Sequence, residues 1–316
     1  MLTHSLPYSG AASTITGALK DHFRSQQLTR HVGFCCNVPD DAHHHVQLRG
    51  RLHQHGNKRL VLALHGLGGS AESSYLYHAV AACERLGADC LRLSMRGADG
   101  KGPDFYNAAL SRDIATALAA PELKQYQSIY LLGYSFGGHL ALHFGCTQTD
   151  TRVKGIGTIC APMDLKAASD AFSANQYSLF SIYILRALKK TYASLDATEH
   201  LPLPKSGLRT LGTIREWDEA ITVPRFGFQS AEHYYEQCSV HNMIEDLAYP
   251  TVVVTTADDP IVPHHVQRRT LFRLPSQAVH VELAGGGHVG TGAKLDLGET
   301  APLGLESQLL RRLFRC

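Results

Sequence analysis

The chain of 316 residues is 44% hydrophobic and 18% charged, a make-up that suits a soluble globular protein with one large core. Lys plus Arg total 30 against 28 Asp plus Glu, and neither sign gathers into a block, which argues against a nucleic-acid face or a polybasic lipid anchor. Eight scattered cysteines without a CxxC pair or framework spacing read as reduced thiols, the pattern of a cytoplasmic protein, and no apolar run reaches the roughly 18 residues that a bilayer crossing needs.

From the N-terminus, "MLTHSLPYSGAASTITGALKDHF" lacks the basic start and apolar run of a signal peptide. The segment "HVGFCCNVPDDAHHHVQLRGRL" has polar interruptions and a turn at Pro39 to Asp41, so we expect an antiparallel pair at a sheet edge. Its vicinal Cys35 and Cys36 read as packed against the core. Its consecutive His43, His44 and His45 would point to alternating faces and read as a solvated edge rather than a metal site. Thereafter apolar runs at 59–66, 88–97, 128–135, 153–162, 249–259 and 278–288 predict buried strands. Helix-compatible segments at 72–86, 105–120, 137–147, 264–273 and 303–314 accompany them. Continuous apolar strands separated by helices predict an α/β protein with a mostly parallel sheet covered on both faces.

One interval breaks this rhythm. About 85 residues separate the strand ending near Pro162 from the one starting near Tyr249, far longer than an ordinary connection in such a unit. It must hold helices of its own, and we expect a cap over the carboxyl ends of the strands, where open α/β sheets bind ligands. The expected division is a core of 1–163, a cap of 164–245 and a returning core of 246–316.

The stretch "YLLGYSFGGHLAL" places Ser135 in a GxSxG pattern between an apolar strand and a helix that opens on Gly137 and Gly138. A serine on such a sharp strand-to-helix turn is exposed for attack, and small neighbours relieve its crowding. It needs a base and a group to orient that base, in the chain order Ser, acid, His. The strand ending in "ADDPIVP" offers Asp258 and Asp259, and Pro260 holds Asp259 in an extended turn that favours it as the acid. The loop "AGGGHVG" after the last strand offers His288. The glycine-rich "LALHGLGGS" follows a buried strand, and the backbone N–H of Leu67 can pair with that of Phe136 as an oxyanion hole. Arg96 reads first as a salt bridge holding its loop and second as an anion site. His139, one helical turn past Ser135, is given no role. Phe226, Phe228, Tyr234 and Tyr235 read mainly as packing between cap and core, with an acyl pocket as their other use.

Together "LHGLGGS", Arg96 with Gly97, "GYSFGGHLAL", "WDEAITVPRFGFQSAEHYYEQCS", "ADDPIVP" and "GGGHVG" resemble the α/β-hydrolase superfamily. Within it they are most similar to the AB hydrolase 4 group of YheT-like and ABHD1-2-3-like serine esterases. The resemblance runs from about residue 30 onward. It implies an α/β-hydrolase fold with a helical cap insertion and a serine carboxylesterase using Ser135, Asp259 and His288. The partner would be a small-molecule or lipid ester, with no nucleic acid, metal, cofactor or integral membrane anchor. A thioesterase or acyltransferase using the same three residues, and a non-catalytic binding module, stay open as alternatives.

Overall fold

The computed structural model describes residues 30–40, 46–174, 179–196, 201–289 and 304–315. Eight strands form one sheet in the order β1-β2-β4-β3-β5-β6-β7-β8: Val32–Val38, Val46–His53, Arg59–Leu64, Asp89–Ser94, Ser128–Tyr134, Val153–Ile159, Thr251–Thr256 and Ala278–Leu283, numbered along the chain. β2 runs antiparallel to both β1 and β4, and every later pairing is parallel. This is the mostly parallel α/β sheet that the strand and helix pattern predicted, with the antiparallel pair at one edge, and the chain has the α/β-hydrolase fold that the resemblance implied.

The apolar runs divide between the two faces with the period of two that strands impose. β3 sends Leu60, Leu62 and Leu64 into one core cluster and Val61 and Ala63 into the other. β5 does the same with Ile129 and Leu131 against Tyr130, Leu132 and Tyr134. Helices α1 (Leu76–Leu86) and α10 (Leu305–Leu313) cover one face, while α2 (Ser111–Leu118) and α3 (Phe136–Thr147) cover the other.

All six predicted buried strands start within two residues of the expected position but end earlier, because the residues that follow turn away from the sheet as the loops at its carboxyl edge. Helix α2 likewise begins six residues after the expected 105, since Phe105 and Tyr106 stack on each other inside a loop. Cys35 corrects an expectation: it is exposed. β1 is an edge strand that turns Phe34 and Val38 inward, which leaves Cys35 on the outer side.

Between β6 and β7 lies a helical insertion. It comprises α4 (Leu165–Ala174), α5 (Leu179–Ala193), α6 (Ile214–Trp217), α7 (Val223–Phe226) and α8 (Ala231–Cys238). A capping box between Thr213 and Glu216 starts α6, and a π-helical turn over Asp218–Thr222 joins it to α7. Arg225 fastens this segment to the core through Asp104 and Asp40, which also bind the fully buried Arg96; Arg96 makes a bidentate pair with Asp113. Arg96 therefore holds structure together, the first of the two uses expected for it.

Candidate active site

Ser135 sits between the end of β5 and the start of α3 at φ 50° and ψ −121°, a strained conformation for a residue with a Cβ. The surroundings hold it there: its N–H donates to the Ile159 carbonyl at 2.8 Å, and its own carbonyl accepts from Gly138 and His139. Two glycines make the turn possible. A Cβ on Gly133 would lie 2.3 Å from the Gly137 carbonyl oxygen, and one on Gly137 would lie 2.5 Å from the Leu64 and His65 carbonyl oxygens.

The order β5-β6-β7-β8 sets the loops that follow these strands side by side along one edge of the sheet. Asp259, three residues beyond β7, has a buried carboxylate whose Oδ1 accepts from the Ile261 and Val262 amides at 2.8 and 2.9 Å. His288, beyond β8, brings Nδ1 to 2.9 Å from Asp259 Oδ2 and 3.1 Å from Oδ1. Because the carboxylate only accepts, Nδ1 carries the proton, and Nε2 accepts from the Ser135 hydroxyl at 2.8 Å. Asp258 lies in the preceding turn and is partly exposed.

The loop after β3 approaches Ser135 from the other side. The amides of Gly66 and Gly68 donate to the hydroxyls of Tyr75 and Tyr106, both at 2.8 Å. Among the described residues no hydrogen bond takes up the Leu67 amide between them, nor that of Phe136. Leu67, Phe136 and Ser135 all line a cavity of roughly 780 Å³, counted out to its mouth, between the sheet edge and the insertion. Its walls are mainly apolar, with Leu165, Phe172, Ile184 and Trp217 on the insertion side. Tyr234 and Tyr235 line it as well, whereas Phe226 and Phe228 pack against the core.

Cys160 has no role in the sequence reading, yet it stands beside this chain of hydrogen bonds. It follows β6 with φ 54°, and its sulfur lies within 4.8 Å of the Asp259 and His288 ligand atoms. Burial first, then the Asp259 charge, raises its thiol far above the usual value, so it stays protonated, with its sulfur 4.0 Å from the Thr256 hydroxyl. Such a set could in principle ligate a soft dication. Here the thiol is neutral, and Nδ1 is already committed to the carboxylate. The signal for Cys160 was positional: β6 lies between β5 and β7, a neighbourhood that only the strand order reveals.

His139 is fully buried, its ring nitrogens 2.8 and 2.9 Å from the Pro162 and Cys238 carbonyls. Burial pushes it down to about 4 against the upward pull of these two carbonyls, and the ring sits between α3 and the insertion. His43, His44 and His45 lie outside the described residues. No helix among the described residues is long and apolar enough to cross a membrane.

Among curated proteins, YheT of Escherichia coli K12 is 29% identical over 242 residues, which cover 74% of this chain and 71% of that protein. The human phospholipase ABHD3 is 26% identical over 240 residues, 73% of this chain and 58% of its own length. The monoacylglycerol lipase of Saccharomyces cerevisiae is 23% identical over 262 residues, 76% of this chain and 56% of the lipase. The chain thus spans little more than half the length of the latter two. Among solved structures, the Pyrococcus furiosus esterase Pf2001 superposes with a TM-score of 0.57 over 90% of each chain at 13% identity, a likeness of fold alone. The family model described as alpha/beta hydrolase fold matches residues 59–290, and the chain belongs to that family.

Proposed function

We propose that the protein is a serine esterase that cleaves carboxylic esters through an acyl-enzyme, with Ser135 as nucleophile, His288 as base and Asp259 as the group that orients it. The observation that carries this reading is the unbroken chain from the Ser135 hydroxyl through His288 to Asp259, at 2.8 and 2.9 Å, opening on an apolar cavity. His288 Nε2 takes the Ser135 proton as Oγ attacks the ester carbonyl, and Asp259 stabilises the imidazolium. The free amides of Leu67 and Phe136, the latter at the start of α3, bind the oxyanion. The imidazolium then protonates the leaving alcohol. Water enters by the same route, gives its proton to His288 and releases the acid.

The apolar walls favour an acyl chain, and the names of the phospholipase and monoacylglycerol lipase relatives agree with an ester of that kind. Residues 164–245 act as the cap of that pocket. Within the family we place the chain in the YheT-like, AB hydrolase 4 group, on the strength of the "GYSFGGHLAL" and cap motifs. All described cysteines are free, which suits a reducing, cytoplasmic setting.

The test is hydrolysis of p-nitrophenyl esters from acetyl to palmitoyl by the wild type and by Ser135→Ala, with a fluorophosphonate to label the serine. Turnover that disappears with the serine is expected, and the chain-length optimum measures the pocket. A folded wild type that neither turns over nor labels would refute the proposal in favour of a binding module.

A further inference from the structure

Among the described residues, four polar side chains gather in one corner of the cavity, all of them supplied by the insertion. Ser169 on α4 donates to the Tyr235 hydroxyl at 3.1 Å. Tyr235 on α8 donates to Asp218 Oδ2 at 2.7 Å, and Thr222 donates to Asp218 Oδ1 at 2.8 Å. All four residues line the same cavity as Ser135. The other two hydroxyls on its wall are taken by the backbone: Tyr106 accepts from Gly68 and Tyr234 from Ala108.

Asp218 is 7% exposed. A carboxylate has about four acceptor sites, and the protein fills two of them, each with a neutral hydroxyl. Among the described residues no lysine or arginine forms an ion pair with it, and the nearby charge of Glu219 repels it. Burying a carboxyl in this way costs free energy, and holding three helical pieces together does not require it, since an apolar contact would do so more cheaply. Asp218 and Thr222 also form the two ends of the π-helical turn, a departure from α geometry that is common at functional sites.

We propose that Asp218, held by Tyr235 and Thr222, is a specificity-determining residue that accepts a hydrogen bond from a hydroxyl or protonated amine carried by the ester substrate. The inference rests on the reading of Ser135 as the nucleophile at the other side of this cavity. Burial pushes the Asp218 carboxyl up to about 7 against the pull of Tyr235 and Thr222, and with two bonds from the described residues its shell is incomplete. A donor on the substrate completes it. A purely apolar chain leaves it unsatisfied, and sites built to bond a hydroxyl reject analogues that lack one far more strongly than apolar pockets discriminate a methylene.

The experiment compares p-nitrophenyl esters whose acyl chains, over a range of short to medium lengths, end in a hydroxyl, an ammonium or an isosteric methyl. For the wild type we expect kcat/KM to favour the hydroxyl or ammonium end over methyl by at least about tenfold at one length. A hydroxyl preference identifies a neutral donor and an ammonium preference a charge pair. In Asp218→Leu the preference falls to about twofold or less, with Asp218→Ala, which likewise removes both acceptor oxygens, as the second variant should the first not fold. A wild type that favours the methyl end at every length, or a preference that survives both substitutions, overturns the proposal. Fluorophosphonate labelling of each protein separates the two readings: an unlabelled wild type sinks the esterase, whereas a labelled wild type without end-group preference sinks only the role of Asp218.

Discussion

Replacing Asp218 with asparagine should change how stability depends on pH, in a direction fixed by its burial. Burial holds the folded-state carboxyl at about 7 against an ordinary value of 3.8. Below pH 4 the folded and unfolded chains both keep the proton. As the pH rises from about 4 to about 7 the unfolded chain ionises first, so the native state loses stability across that window. Above it the loss is complete. At about 1.4 kcal/mol per pH unit the gap amounts to about 4 kcal/mol. Tyr234, Tyr235 and Cys238 face Asp218 but are all raised by burial, Cys238 to about 12, and so stay silent in this range. Glu219 is present in both proteins. Asparagine does not titrate, so the stability of Asp218→Asn relative to wild type should rise by about 4 kcal/mol between pH 4 and pH 8. Urea titrations followed by the fluorescence of Trp217 would measure it, since Trp217 is the chain's one tryptophan, is buried and adjoins the site. A difference that stays constant to within about 1 kcal/mol, or that falls as the pH rises, would refute the reasoning.

Three other outcomes follow from the site and its supports. Asp259→Asn should lower kcat by about ten thousandfold, whereas Asp258→Asn should change it by less than about tenfold; equal losses in a p-nitrophenyl ester assay would unseat Asp259 as the orienting acid. Gly133→Ala should cost about 1 to 3 kcal/mol or more in urea unfolding and abolish fluorophosphonate labelling, because its methyl would press on the Gly137 carbonyl at 2.3 Å. Arg96→Met should cost about 3 to 5 kcal/mol by the same measurement, since it strips Asp113 of its bidentate partner and takes one arginine each from Asp104 and Asp40.

The sheet was legible because its central strands are rich in apolar residues that need no partner to be recognised, as in "RLVLAL" and "SIYLLGY". The candidates Ser135 and Asp259 were legible for a related reason, each following such a strand within a few residues, while His288 follows the more polar edge strand β8, and all three sit in loops marked by glycine or proline. Strand order was not written in any local pattern, and with it went Cys160, whose closeness to Asp259 arises only because β6 pairs with β7. The insertion was visible as an over-long interval, but the four residues of its polar corner come from three separate segments. Their meeting depends on how α4, the π turn and α8 pack, and no spacing along the chain encodes that.

His288 hangs from β8, the last strand in the sheet, which among the described residues pairs with a neighbour on one side and is partly exposed along its length. Ser135 and Asp259 follow β5 and β7, each flanked by strands on both sides. Edges of sheets open at lower free energy than their centres. The order of failure is therefore written into the topology. As denaturant rises, β8 should peel away and carry His288 with it while Ser135 and Asp259 keep their places, so the activity proposed for these three residues ought to vanish before the body of the protein unfolds.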